Sequence, residues 1–159
     1  FLFNDAATAG LDTLPLHDAL RIGEMARADG LRQLALGYAL EGDLQRAESL
    51  SARALDLAPS DPQALVARAG ILEDLQRFEE AEDLLARAWI QNTRDPLVLD
   101  RRLGFLVRRK RWTDLEQHAR YALGAGTHPP SAQYHLGLAL LAQKKVVREI
   151  GRASGRERG

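Results

Sequence analysis

The chain has 159 residues, enough for one domain, and its 45 % hydrophobic and 28 % charged residues are ordinary for a globular protein. Lysine plus arginine equals aspartate plus glutamate at 22 each, so no overall field favours nucleic acid or a membrane surface. The absence of cysteine excludes disulfides, thiol catalysis and thiolate metal sites. No apolar run approaches the roughly 20 residues that a membrane-spanning helix needs.

The residue pattern repeats every 34 residues from residue 31 onward. Two sets of equivalent positions show this spacing: Ala54, Ala88 and Ala122, and Leu44, Phe78 and Trp112. A fixed period of this length, with paired helical patterns, is typical of helical-repeat proteins. Short loops between the helices make neighbouring helices antiparallel.

Apolar residues at helical spacing, separated by turn signals, predict seven helices. They cover residues 29–41, 44–57, 62–75, 78–91, 96–109, 112–123 and 130–144. Pro62 opens the third helix, where its missing N–H costs nothing, and Asp61 before it is a good N-cap. Asp95 before Pro96 repeats this start signal.

The first repeat resembles one tetratricopeptide repeat (TPR). The resemblance rests on Leu31, Leu34, Ala35, Tyr38, Gly42, Asp43, Ala47, Ala54, Leu55, Leu57 and Pro59. It implies an all-α, right-handed solenoid of antiparallel helix pairs, with repeats at 28–61, 62–95 and 96–129 and a partial one at 130–145. These boundaries define repeats 1 to 4.

In the family, small residues stand where helices approach closely, and Ala35, Ala47 and Ala54 occupy these points in repeat 1. Leu103 and Leu115 replace them in repeat 3, so we expect the helices there to pack farther apart or at a shifted angle. In repeat 2, Thr93 stands where the family has Pro.

Both ends lack a 34-residue counterpart and are similar to the translation of a short-read sequencing adapter. At the start this rests on Asn4, Asp5, Ala7, Thr8, Thr13, Leu14, Leu16, His17, Asp18, Ala19, Leu20 and Ile22. At the end it rests on Glu149, Ile150, Gly151, Arg152, Ala153, Ser154, Arg156, Glu157 and Arg158. We expect residues 1–22 and 149–159 to be adapter-derived and 23–148 to be a fragment of a longer protein, with natural polar tails as the alternative. The compartment, cytoplasmic or periplasmic, then stays open.

No catalytic or metal site is predicted within the chain. His118, His128 and His135 have no partner at a recognised metal-ligand spacing, and His118 is expected to be a surface or half-buried side chain. We therefore expect no cofactor and no enzyme activity in these residues. A catalytic domain outside them is left open.

The most distinctive charged feature is a basic cluster formed by Arg101, Arg102, Arg108, Arg109, Lys110 and Arg111. One interpretation is an anion or nucleic-acid patch. The other is a solvated helix end, where the helix dipole favours cations by about 0.3–1 kcal/mol. Trp112 is the one aromatic residue beside it and the net charge is zero, so the helix end is favoured and no nucleic-acid partner is expected.

The resemblance places the partner-binding surface on the first helix of each repeat. The candidate residues are Arg32, Leu36, Val66, Glu73, Asp100, Arg108 and Tyr134. A mixed apolar and charged groove suits an extended or helical peptide. Leu36 and Gly70 stand where the family's clamp for a peptide carboxylate needs Asn, so a clamp for chaperone tails is not expected.

The predicted function is a non-enzymatic scaffold that binds a peptide or partner domain in a concave groove. A bare spacer with ordinary exposed side chains is one alternative. Another is a regulatory or substrate-positioning arm of a larger enzyme, such as a glycosyl- or sulfotransferase, or of a secretion or polysaccharide-export assembly. The last helix is predicted to expose Leu136, Leu140 and Leu141, which favours self-association.

Overall fold

The computed structural model of the protein describes residues 16–91, 94–124 and 130–156, and all regular structure in these ranges is helical. The helices are α1 Leu16–Leu40, α2 Leu44–Leu57, α3 Pro62–Asp74, α4 Phe78–Gln91, α5 Pro96–Arg108, α6 Trp112–Gly124 and α7 Pro130–Arg156. The all-α prediction is confirmed for this part of the chain. Thr93 and His128 lie outside the described residues.

Five helices, α2 to α6, begin and end within one residue of their predicted positions. The predicted limits of the other two were wrong, because α1 begins at Leu16 rather than at residue 29 and α7 ends at Arg156 rather than at residue 144. Neither added stretch contains proline, the residue that interrupts helices most strongly, and the helices continue beyond the 34-residue pattern. The adapter origin of residues 1–22 and 149–159 stays a prediction.

The chain divides into an N-terminal unit, residues 1–81, and a C-terminal unit, residues 82–159, with the border inside α4. In the N-terminal unit α1 and α2 pack together, and both contact α3. Its core includes Ala35, Ala47 and Ile71, with Tyr38 and Leu50 packed around them. In the C-terminal unit α6 packs against α5 and α7, and α5 also contacts α7.

The small residues predicted at close helix contacts are buried. Ala35, Ala47, Ala54, Ala69, Ala81, Ala88 and Ala122 are each at most 1 % exposed, which confirms their role as packing points. Leu103 and Leu115 occupy the same positions in repeat 3 and are completely buried. These two positions therefore accommodate larger side chains, and the wider helix spacing there stays a prediction.

The turn inside each repeat has the same backbone conformation. Gly42, Gln76 and Lys110, spaced 34 residues apart, have positive φ values of 86°, 60° and 55°. In repeat 2 the Gln76 N–H donates to the Glu73 carbonyl and the Arg77 N–H to the Leu72 carbonyl, and the other two turns make the equivalent bonds. This is the Schellman ending of a helix, in which glycine is the favoured residue at the left-handed position.

We expect Gln76→Gly to raise the free energy of unfolding by about 0.5–1 kcal/mol. Glutamine has a Cβ that is strained at φ 60°, and glycine removes this strain at a smaller entropic cost. Urea denaturation monitored by circular dichroism measures the change. The control is Gln33→Gly, at an exposed position inside α1, which should lose about 1 kcal/mol. A loss of stability in Gln76→Gly would contradict the prediction.

Candidate partner-binding surfaces

Two aspartates set where the groove-bearing helices α3 and α5 begin. The Asp61 carboxylate accepts hydrogen bonds from the N–H groups of Gln63 and Ala64, both at 3.1 Å. Asp95 accepts from the N–H groups of Leu97 and Val98 at 2.8 and 3.4 Å. Both predicted N-caps are confirmed, and they fix the register of the candidate residues that follow.

In the N-terminal unit the candidate surface is formed by α1 and α3, which contact each other. Arg32 and Leu36 lie on α1, and Val66 and Glu73 lie on α3. Leu36 and Glu73 are half-buried, whereas Val66 is only 4 % exposed. Val66 therefore belongs to the buried core and offers no accessible side chain to a ligand in this conformation.

Arg32 is the most unusual of these residues. Its side chain is 12 % exposed and forms an ion pair with Asp29, one helical turn earlier. Its Nε is buried without a hydrogen-bond partner among the described residues. A buried donor without a partner costs about 1–3 kcal/mol, so an acceptor supplied by a ligand would be favoured here.

In the C-terminal unit the candidates lie on α5 and α7, which contact each other. Asp100 and Arg108 are exposed on α5, and Arg108 also makes an interaction within the chain. Tyr134 on α7 is 66 % exposed, and its ring lies 5.4 Å from that of His135 in an edge-on arrangement. All three side chains are accessible to a partner.

The basic cluster is divided between different environments. Arg111 pairs with Glu82 and with Asp114, whose carboxylate lies 2.6 Å from the guanidinium, and these bonds raise the pKa of Arg111, with Asp114 contributing most. Arg102 is half-buried, and burial lowers its pKa. Arg108 lies in the last turn of α5, as the helix-end interpretation predicts. The ion pairs of Arg111 were not predicted from the sequence.

The same ion-pair arrangement occurs one repeat earlier. Arg77 pairs with Glu48 on α2 and with Glu80 at 2.6 Å. Hydrogen bonding to Arg77 lowers the pKa of the Glu80 carboxyl. Each residue of this network lies 34 residues before its counterpart in the other: Glu48 before Glu82, Arg77 before Arg111, and Glu80 before Asp114. The repeat period therefore indicated that the same three charged residues recur together. Exposed pairs of this kind contribute little to stability individually, but they connect the turn to the preceding repeat.

His118 lies in an aromatic cluster on the C-terminal unit. The Trp89 ring lies 5.4 Å from His118 and 5.3 Å from Tyr121. The His118 Nδ1 is 2.8 Å from the Asp114 carbonyl oxygen, and burial lowers the pKa of the imidazole. The prediction of a half-buried histidine is confirmed. Packing against Trp89 and the backbone contact account for its position.

Within residues 16–91, 94–124 and 130–156, no group of three or more histidine, aspartate or glutamate residues could hold a metal ion. No helix in the same part of the chain is long and apolar enough to cross a membrane.

Residues 38–100 match a family model described as tetratricopeptide repeat. Residues 38–100 therefore carry the tetratricopeptide-repeat pattern. Similar solved structures include Pseudomonas aeruginosa pilF, with 28 % identity over 77 % of this chain and 56 % of that one and a TM-score of 0.68. The first TPR of Spaghetti (RPAP3) bound to the HSP90 peptide SRMEEVD shares 18 % identity over 75 % of this chain and 94 % of that one, with a TM-score of 0.64. The Arabidopsis OM64 TPR domain shares 16 % identity over 73 % and 96 %, with a TM-score of 0.60.

These similarities confirm the helical-repeat solenoid fold. The chain spans 56 %, just over half, of the pilF structure that it matches. No curated protein matches the sequence. TPR domains are generally non-catalytic modules for protein interaction, and this chain has their architecture.

Proposed function

We propose that the chain is a protein-interaction scaffold and that α1 and α3 of its N-terminal unit bind a peptide. The observation that carries the proposal is the Arg32 guanidinium, which is largely buried and has an Nε without a hydrogen-bond partner among the described residues. Leu40, eight residues after Arg32 on α1, is 91 % exposed, and Leu36 is half-buried. Together they offer a hydrogen-bond donor and apolar contact area on one helix.

The chemistry of this surface favours a peptide that combines an acceptor with an apolar side chain. A carboxylate or a backbone carbonyl would satisfy Arg32, and charge-assisted bonds to arginine are among the stronger protein hydrogen bonds. An apolar side chain would cover Leu40, which water otherwise surrounds. An acidic residue followed or preceded by an apolar one meets both needs.

The C-terminal unit offers separate anchors. Asp100 would attract a basic side chain, and Tyr134 presents a large ring with a polar tip, which suits a binding surface. We propose that these residues contact a second segment of the same partner or another partner. The proposal for Arg32 does not depend on them.

The proposed ligand differs from the HSP90 peptide SRMEEVD, to which the RPAP3 domain is bound. Leu36 and Gly70 stand where the family's carboxylate clamp needs asparagine. Neither residue has a side-chain hydrogen-bonding group. We therefore propose that SRMEEVD is not a ligand of this chain.

Peptides selected from a random phage-displayed library on the protein would test this function. Arg32→Ala should weaken binding of a selected peptide about tenfold or more, the loss expected for one bond to a charged group. Arg46→Ala is the matched control, since Arg46 lies in the same unit, is 68 % exposed and should leave the affinity unchanged. Fluorescence titration measures both, with SRMEEVD as a reference peptide.

Equal affinities for the Arg32→Ala and unchanged proteins would contradict the Arg32 site. Tight binding of SRMEEVD would instead restore the clamp interpretation. The absence of any selected peptide would contradict peptide binding altogether.

A second candidate is a positioning arm of a larger enzyme or of a secretion or polysaccharide-export assembly. The partial coverage of pilF is compatible with a role inside a larger protein. Reading the gene outward from the codons of residues 31–145 separates the two, because a neighbouring catalytic domain would favour the arm.

A further inference from the structure

One face of α1 in the N-terminal unit is open along four turns of the helix. It is formed by Arg27, Gly30, Leu31, Leu34, Gly37, Tyr38 and Glu41. A cleft of about 620 Å³ lies between this face and α2, and a second of about 380 Å³ continues along α1. Leu34 lines both clefts and is 56 % exposed. This surface, which we call the α1 face, is separate from the proposed peptide site.

The equivalent face of α3 is a closed helix-packing surface. Its central residues Ala64, Leu65, Ile71 and Leu72 are each at most 2 % exposed. Arg68, the equivalent of Leu34, donates to the Glu48 carbonyl at 3.1 Å and to the Ser51 hydroxyl at 3.3 Å, both on α2. The same surface of a repeat is thus covered by a helix in repeat 2 and open in repeat 1.

Two glycines shape the α1 face. Gly30 and Gly37 stand where α3 has Ala64 and Ile71, and a Cβ added at either would meet nothing within 4 Å. Glycine inside a helix costs about 1 kcal/mol relative to alanine. No contact among residues 16–81 explains that cost, and the glycines leave a recess on each side of Leu34.

We propose that the α1 face binds the α1 face of a second copy, with the two helices antiparallel about a two-fold axis at Leu34. In such a contact, residues equally far from Leu34 on opposite sides meet across the axis. Leu31 then lies over Gly37 of the second copy, and the exposed part of Tyr38, which also packs on the core of its own unit, lies over Gly30. The glycines leave room for both side chains, as holes do for knobs in packed helices.

The charges on the α1 face select the same arrangement. Arg27 and Glu41 are both exposed and lie seven residues before and after Leu34. The antiparallel contact therefore forms two equivalent ion pairs, each between Arg27 of one copy and Glu41 of the other. A parallel contact would place like charges together, which is unfavourable.

Sedimentation velocity of the full chain over a concentration series tests the dimer. The contact is about four helical turns long, below the size of a standard stable interface, so dimerisation is expected at micromolar concentration. Leu34→Arg should weaken association about tenfold or more, because two like charges meet at the axis. Ile90→Arg is the control, since Ile90 is 77 % exposed on α4 and should leave association unchanged.

A charge exchange tests the orientation. Arg27→Glu and Glu41→Arg should each weaken the dimer, and the double variant should restore it, because opposite charges then meet again. Since the chain has no cysteine, Leu34→Cys should also yield a disulfide-linked dimer under mild oxidation. Circular dichroism confirms that each variant keeps its helix content.

Three results would overturn the proposal. A protein that stays monomeric at all concentrations would exclude the dimer and would favour a helix of another protein as the partner of the α1 face. A dimer that survives Leu34→Arg but not Leu141→Arg would assign association to α7, where Leu141 is 68 % exposed. Failure of the double charge variant to restore association would exclude the antiparallel arrangement.

Discussion

Leu103→Ala is expected to lower the free energy of unfolding by about 2–5 kcal/mol, the range for buried leucine truncations. Leu103 is completely buried in α5. Its neighbours Phe105 and Leu106 are almost completely buried, at 1 % and 2 % exposed. Removing its side-chain carbons leaves a cavity that the surrounding helices fill only in part. Chemical denaturation measures the loss.

This prediction opposes the expectation from the repeat pattern. Alanine stands at the same position in repeats 1 and 2, as Ala35 and Ala69, so the variant moves repeat 3 towards the family. A gain in stability would mean that the helices of repeat 3 close around the smaller residue. Leu97→Ala is the control, because Leu97 is 43 % exposed and loses less buried area.

Ala81→Leu is expected to destabilise the protein by about 1–3 kcal/mol through overpacking. Ala81 is completely buried at the start of α4, where a small residue is typical of the repeat. Leu115 occupies the equivalent position in repeat 3 and is also completely buried. The space available for the side chain at this position therefore differs between repeats 2 and 3. The added carbons at Ala81 force side chains or backbone to shift.

The control for this change is Gln91→Leu, at an exposed position on the same helix, where the effect should stay within about 0.5 kcal/mol. Thermal and urea unfolding of the two variants give the comparison. An Ala81→Leu protein as stable as the unchanged one would contradict the assigned register of the repeats.

Sequence alone was sufficient where the cause of a feature is local or periodic. The limits of α2 to α6 follow from apolar spacing and turn residues, and Asp61 and Asp95 cap their helices because the N–H groups they bind are two or three residues away. The buried alanines follow from the 34-residue period. The limits of α1 and α7 were missed because helix propensity continues beyond the period.

Tertiary structure alone decided the features that depend on distant residues. Val66 was predicted as a groove residue from its position, and its burial depends on what packs against α3. The ion pairs of Arg77 and Arg111 join residues 29 positions apart, at Glu48 and Glu82. The 34-residue period indicates that these residues are equivalent, but only the packing of the helices shows that they meet. Helical spacing specifies which face a side chain occupies, whereas its exposure and its partners are set by the neighbouring helices that cover that face.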